Sequence, residues 1–421
     1  MGAGDQVRIK KKHQKNKILP DLSQAKHQFL AHLEGGQPEL ALALVDQMIA
    51  KGLRNANLYK DGALALLRLQ RWHEAMDYAR KAIAIDRKTL SAWDALAHAA
   101  GACGDLETAA TAGHKALIMR DNSIPNMPPF AAPLAPKPAG GGQKIIAFSL
   151  FGANSKYCEG AVLNTIEQPR LYPGWRCWFF VDHSVPTDTR NRLKDNGATL
   201  VDIDDEAAKW PGTMWRFLAY DAPDAERVIF RDTDSVISPR EAGAVAEWQA
   251  SGLPFHAMRD NGSHTELLLA GLWGVVRGAL PPMRDMLRHY LQTPVKNAHF
   301  ADQFFLRSHV WPYARAEILQ HDSLFGFQNP RPFPQGPYRP DFHVGYCETA
   351  PIAQIATRLP EGSRALWRIE KQTDRGYVPV CSYPATVQEG KVRAHVPARY
   401  ARGFATGRFR MQLSAADVAN S

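Results

Sequence analysis

Apolar positions fall at helical spacing through the first 120 residues, then change period. In "LYKDGALALLRLQRWHEAMDYARKAIAID", from Leu58, and "AWDALAHAAGACGDLETAATAGHKALIMR", from Ala92, they predict paired amphipathic helices. Beyond residue 143 short apolar runs take over. "KIIAFSLFG" (144–152), "WRCWFFVD" (175–182), "ATLVDID" (198–204) and "RVIFRDTD" (227–234) predict strands, with helical segments between them around 158–168, 187–195 and 213–221. Strand and helix alternating through short connections predict a mostly parallel, Rossmann-like α/β sheet. Ligands of such sheets bind outside the carboxyl ends of the strands.

The helical part repeats. Tyr59 and Trp93, Ala75 and Ala109, Ala82 and Ala116, and Ile83 and Leu117 each lie 34 positions apart, and "PELALALVDQMIAKG" places Ala41, Met48 and Ile49 one period earlier. A 34-residue period with small Ala where helices cross resembles the tetratricopeptide (TPR) family over about a hundred residues. The resemblance implies a stacked helical surface that binds a peptide or a partner protein. In place of the proline that usually ends a repeat, this chain has Arg87 and Arg120.

Composition shifts mark the expected boundaries. Residues 1–20 form a basic tail, with six Lys/Arg between Arg8 and Lys17, and 21–122 hold the repeats. "SIPNMPPFAAPLAPKPAGGGQ" (123–143), with six prolines and then three glycines, is a linker. The α/β domain covers 144–362, and the weakly alternating 363–421 is expected to add a small β extension. No apolar run approaches a membrane span and no apolar segment follows the basic N-terminus, so a cytoplasmic protein is expected. Five scattered cysteines without a CxxC pair predict ordinary thiols, neither a zinc site nor a disulfide framework. The net charge of +9 is concentrated at the two ends, which lack the aromatic interleaving of a single-strand binder; a nucleic-acid partner is not expected.

The chemistry gathers where "RVIFRDTDSVIS" (227–238) ends its apolar run. In an extended segment Asp232 and Asp234 point to one face. Two bare carboxylates roughly 5 Å apart repel by about 3 kcal/mol at an effective dielectric near 20. Solvent, a proton, basic residues or a divalent ion must offset that. Mn²⁺ or Mg²⁺ would do so and leave positions open for a substrate's phosphates. Ser238 and Pro239 are able to start the next helix by themselves, so neither aspartate is needed as its cap.

With "MWRFLAYDA" before it, "VIFRDTDS" resembles the GT-A fold glycosyltransferases, whose DxD pair holds a metal that binds the diphosphate of a nucleotide-sugar. Three later stretches extend the likeness toward the glycogenin-like (family 8) transferases and an unnamed bacterial group. "LLLAGLWGVVRG" (267–278) is similar to the segment lining the donor sugar, which would place Gly271 there. "HFADQFFLRSHVWP" (299–312) is similar to the helix whose Asp302 and Gln303 would contact donor and acceptor sugars. "ILQHDSLFGF" (318–327) is similar to the strand whose histidine, His321, would be the third metal ligand beside Asp232 and Asp234; His343 competes for that place. The resemblance covers about residues 144–345.

It implies a hexosyltransferase acting on a nucleotide-sugar, with a UDP-sugar favoured and retention favoured over inversion. The departures are specific. Leu269 precedes Ala270-Gly271 where an asparagine is usual, and the lysine that normally grips the diphosphate after the histidine is absent. Arg216 and Arg231 are candidates to replace it as phosphate-binding forks. An inverting enzyme would need a carboxylate base, from Asp302 or Asp260. Asp260 and His264 are expected to face the acceptor, and Trp215 and Trp273 to be core. The acceptor is expected to be a protein or peptide recruited by the repeats, or a glycan. The alternative is a non-catalytic TPR scaffold whose α/β domain only binds nucleotide or sugar.

Overall fold

In this computed structural model the described residues are 23–138, 140–295, 297–336, 338 and 342–415. The expected basic tail lies outside them. The chain forms two compact units. One comprises the described residues through Ser123 together with Asn261–Glu266 and Leu324–Phe327, and the other holds the rest.

The first unit is a helical repeat. Helix α1, whose described part covers 23–34, is followed by α2 (Pro38–Ala50), α3 (Ala56–Arg68), α4 (Trp72–Ile85), α5 (Leu90–Cys103) and α6 (Leu106–Ser123). Pro38, Trp72 and Leu106 open helices 34 residues apart, as do Ala56 and Leu90. Pro38 sits in the first turn of α2, where its missing N–H costs nothing, and Asn55 caps α3 through the Leu58 N–H at 2.9 Å. Small residues let the helices approach. Ala75, Ala82, Ala109 and Ala116 are fully buried, and a Cβ on Gly62 would lie 2.5 Å from the Tyr78 ring.

Both additional segments of this unit pack on α5 and α6. A Cβ on Gly113 would come within 2.2 Å of the Phe325 ring, and one on Gly101 within 2.9 Å of Gly262 Cα. Arg120 is buried and forks onto Asp94 at 2.7 and 2.8 Å. It also donates to the Thr265 carbonyl at 2.6 Å and pairs with Glu266 at 3.2 Å. The arginine that replaces the usual repeat-ending proline therefore ties α6 to α5 and to Thr265–Glu266.

The second unit is built on a seven-stranded mixed sheet. Its elements are β1 (Gln143–Leu150), α7 (Ser155–Leu171), β2 (Trp175–Val181), α8 (Thr187–Asp195), β3 (Thr199–Asp202), a 3₁₀ segment (Gly212–Asp221), β4 (Ala225–Arg231), α9 (Pro239–Ser251), β5 (Phe255–Arg259), β6 (Trp273–Val276), α10 (Met283–Leu291), α11 (Ala301–Phe305), a π-helical turn (Leu306–Val310), α12 (Trp311–Ala314) and β7 (Ile318–Asp322). The order is β3-β2-β1-β4-β6-β5-β7. Strands β3, β2, β1 and β4 are parallel, β6 is antiparallel to both its neighbours, and β7 is parallel to β5. Ile145–Phe148 are fully buried because helices cover both faces of a central strand. The expected helix at 213–221 is instead the 3₁₀ segment, buried from Met214 through Tyr220.

The C-terminal region adds β8 (Ile352–Ala356), β9 (Arg364–Thr373), β10 (Gly376–Thr386), β11 (Lys391–His395), α13 (Ala398–Phe404) and β12 (Phe409–Ala415). Strands β10-β9-β12 make one antiparallel sheet and β11-β8 another. Trp367 and Tyr383 join the same apolar core as Ile146 and Phe148. The Tyr383 hydroxyl reaches buried Glu159 of α7 at 2.6 Å. Among the described residues no helix is long and apolar enough to cross a membrane.

Candidate functional site

Strand order reverses between β1 and β4, which makes the crevice beyond their carboxyl ends the topological switch point of the sheet. The Asp-Thr-Asp sequence leaves β4 there. It is not extended: the Ser235 N–H returns to the Asp232 carbonyl at 3.3 Å, closing a turn. The two carboxylates consequently meet different partners rather than sharing one face.

Asp232 receives Arg216 Nη1 at 2.5 Å, and Arg216 Nη2 goes on to Asp302 Oδ2 at 2.7 Å. Arg216 is held from behind as well. Its backbone N–H meets Ser149 Oγ of β1 at 2.9 Å, and Nη1 also donates to the Arg231 carbonyl at 3.0 Å. Its side chain is only 3% exposed, whereas Asp232 is 54% exposed and faces solvent. Asp302 is buried, which lifts its carboxyl above the ordinary aspartate range; Arg216 opposes the lift and the Asp232 charge adds to it.

Gly271 completes the floor. A Cβ there would lie 2.2 Å from Asp232 Oδ2, so only glycine lets the chain pass beneath that carboxylate. Gln303 holds the same stretch in place. Its Oε1 accepts from the Ala270 N–H at 3.1 Å and its Nε2 donates to the Leu268 carbonyl at 2.5 Å. The fold thus brings together Arg216, Asp232, Gly271, Asp302 and Gln303 from four separate stretches of sequence. Gln303 spends both ends of its amide on backbone, so its geometry gives it a positioning job.

Asp234 is bound on the other side. Lys156, in the first turn of α7, places Nζ 2.9 Å from its Oδ2, and Cys347 Sγ lies 3.4 Å from the same oxygen. Burial, then the Asp234 charge, pushes the Cys347 thiol up to about 11. Neither Lys156 nor Cys347 stands out in the sequence. The available signal was positional: a cation in the first turn of a helix opposes the helix dipole unless a carboxylate faces it.

Other expected residues lie elsewhere. His321 is on β7, three strands from β4 and so roughly 14 Å across the sheet. Its Nδ1 meets His256 Nε2 at 2.9 Å and its Nε2 meets Glu247 at 3.1 Å, which corrects its assignment as third metal ligand. His343 approaches the Val344 carbonyl at 2.9 Å. Asp260 is fully buried and gripped by Arg240 at 2.7 and 2.8 Å, with the Val344 N–H on Oδ2 at 2.9 Å. It is sealed from any acceptor. His264 is also buried, in the Asn261–Glu266 segment. Arg231 is buried against Glu241 at 3.1 Å and the Gly271 carbonyl at 3.2 Å, a structural placement that removes it as a phosphate fork. Trp215 and Trp273 are core.

The expected three-ligand metal set is not assembled, and among the described residues no group of three or more His, Cys, Asp or Glu is placed to hold an ion. A hard divalent ion would take carboxylate oxygen from the half-exposed Asp232 and complete its shell from phosphate oxygens and water, while Asp234 is held by Lys156.

No family model and no curated protein matches the chain. Among solved structures, the second TPR of Spaghetti (RPAP3), solved with an HSP90 peptide, is similar at 23% identity over 28% of this chain and 97% of that one, with a TM-score of 0.25. The Sgt2 TPR domain from Aspergillus fumigatus matches at 22% over 24% of this chain and 68% of that one, TM-score 0.24. An O-GlcNAc transferase from Thermobaculum terrenum matches at 14% over 50% of this chain and 46% of that one, TM-score 0.29. Scores this low assign no function.

Proposed function

We propose that the chain is a glycosyltransferase that moves a hexose from a nucleotide-sugar, with a UDP-sugar favoured, to an acceptor hydroxyl. The observation that carries this reading is the Asp232–Arg216–Asp302 bridge laid over Gly271 at the switch point. Mn²⁺ or Mg²⁺ would be held by Asp232 and Asp234 together with the donor's diphosphate, and when bound it would stabilise charge on the departing phosphate. Around it, Arg216 fixes the direction of Asp232, and Gly271 and Gln303 shape the backbone under the donor. Asp260 is sealed, and both Asp302 oxygens are engaged, by Arg216 and by the Gln303 N–H. Neither is free to serve as an inverting base. Retention therefore suits the site better, with the acceptor's proton passing to the leaving phosphate. The helical repeat, TPR-like in its period, recruits a protein or peptide acceptor and raises its local concentration. Five free thiols suit a reducing compartment such as the cytoplasm.

The test is calorimetric titration of UDP, GDP, ADP and CDP with Mn²⁺, on the wild type and on Asp234→Ala, followed by mass analysis for sugar transfer. One nucleotide should bind and lose affinity in the variant, and its sugar conjugate should be consumed. Binding without sugar transfer would leave a nucleotide-binding scaffold. Binding of none would end the proposal.

A further inference from the structure

Among the described residues, Arg216, Arg231 and Lys156 flank the Asp-Thr-Asp turn, and the two arginines are spent in buried pairs. Arg216 is buried between Asp232 and Asp302, and Arg231 is buried on Glu241. Lys156 differs: its side chain is 26% exposed, and its ammonium rests on the rim of the site at Asp234. It projects from the helix that follows β1, and Asp234 from the turn that follows β4, so the pair spans the two strands flanking the switch point. The lysine sits in a first turn that has no acidic residue to balance it. A flexible ammonium on one carboxylate is a partner that can leave.

Resting on the transferase reading above, we infer that Lys156 is an exchangeable cation: it reserves Asp234 in the empty site and moves to the diphosphate when the donor arrives, freeing Asp234 for the divalent ion. Metal and nucleotide binding are then coupled. While Lys156 holds Asp234, a divalent ion meets an already neutralised carboxylate and a nearby positive charge, so it binds weakly alone. A diphosphate draws the ammonium away and supplies oxygens of its own. By linkage each ligand tightens the other by the same factor. Lys156 also takes the place of the lysine missing after His321.

Two titrations on the full chain test this, with Lys156→Met against the wild type. Mn²⁺ binding without nucleotide, followed by the paramagnetic signal of the free ion, should tighten about fivefold in the variant, because a repelling charge is gone. UDP binding in EDTA should weaken about tenfold, and uridine binding should not change. If UDP is not the nucleotide this site takes, the nucleoside diphosphate that binds the wild type replaces it, with its own nucleoside. Lys156→Arg should restore the diphosphate affinity. The opposite directions matter: a turn merely loosened by losing an ion pair would weaken both ligands together. That outcome, or both affinities within twofold of wild type, overturns the exchange role. If the wild type binds no nucleoside diphosphate at all, with or without Mn²⁺, the transferase reading falls and the exchange with it. A wild type that binds normally beside an unaltered variant removes the exchange alone.

Discussion

Arg216 Nη2 lies 2.7 Å from Asp302 Oδ2 while Nη1 of the same guanidinium lies 2.5 Å from Asp232 Oδ1. One buried side chain thus couples carboxylates 70 positions apart in sequence. Removing the arginine would leave Asp302 buried without its counter-charge, and unpaired buried charges cost roughly 3–5 kcal/mol. Arg216→Met should lower the urea unfolding free energy by about 3 kcal/mol and abolish nucleotide binding. Asp302→Asn should cost less, about 2 kcal/mol, because the amide oxygen still accepts from Arg216 and only the Gln303 N–H loses its acceptor.

Gly271 lies beneath Asp232 rather than in a strained turn, so its substitution separates site geometry from stability. In Gly271→Ala the new methyl would stand 2.2 Å from Asp232 Oδ2 and must push the carboxylate aside. Overpacking of this kind costs about 1–3 kcal/mol, and here an exposed side chain yields first. Nucleotide affinity with Mn²⁺ should fall roughly tenfold or more while the urea midpoint moves little. A large loss of stability with unchanged affinity would place Gly271 in the packing and not in the site.

Much of this arrangement is legible in sequence because burial writes itself as pattern. The 34-residue period exposes the repeat, and the apolar runs at 144–152 and 227–234 expose β1 and β4. Met214–Tyr220 misled the helix expectation because continuous burial erases periodicity, so a 3₁₀ segment and an α-helix look alike. Asp260 was expected to face an acceptor because it follows a strand, yet Arg240, 20 positions earlier, seals it. No spacing rule joins such a pair. His321 was placed by resemblance alone, and its contacts with His256 and Glu247 depend on strand order. Lys156 carries no motif; only its place at the start of α7 marks it.

Arg120 tests whether the helical unit needs the two segments that return to it. Arg120→Leu would leave Asp94 and Glu266 without their shared cation and the Thr265 carbonyl without its donor. The loss should be about 2–3 kcal/mol in urea unfolding of the full chain. Deleting 21–122 would strip Asn261–Glu266 and Leu324–Phe327 of their partners, so it would not isolate acceptor recruitment. Lys26 and Lys60 line a cavity of about 420 Å³ with Phe29 and Met48 and both pair with the buried Asp61, so a cleaner probe changes all three charges together. Lys26→Gln and Lys60→Gln with Asp61→Asn, which leaves no buried carboxylate unpaired, should reduce modification of a protein acceptor and leave transfer to a free sugar within twofold.

The His256–His321 pair gives the second unit an acid limit. His256 is fully buried and stacked on Trp248 at 5.3 Å, and burial followed by the nearby His321 holds it well below the usual histidine range. His321 is lowered too, by burial, with Glu247 opposing. Arg231 and Arg227 add positive charge near His256, and Glu247 is the carboxylate that faces the pair. Both rings are therefore neutral in the folded protein at a pH where the unfolded chain takes up protons. Their contribution is fully present above the ordinary histidine pKa near 6.5 and is lost as pH falls below it. Each such group removes up to about 1.4 kcal/mol per pH unit. Unfolding free energy should therefore drop by about 2 kcal/mol or more between pH 7 and pH 5.5, and His256→Gln should flatten that slope. An equal slope in the variant would assign the acid sensitivity to other groups, His309 among them, which burial and His289 lower to about 4.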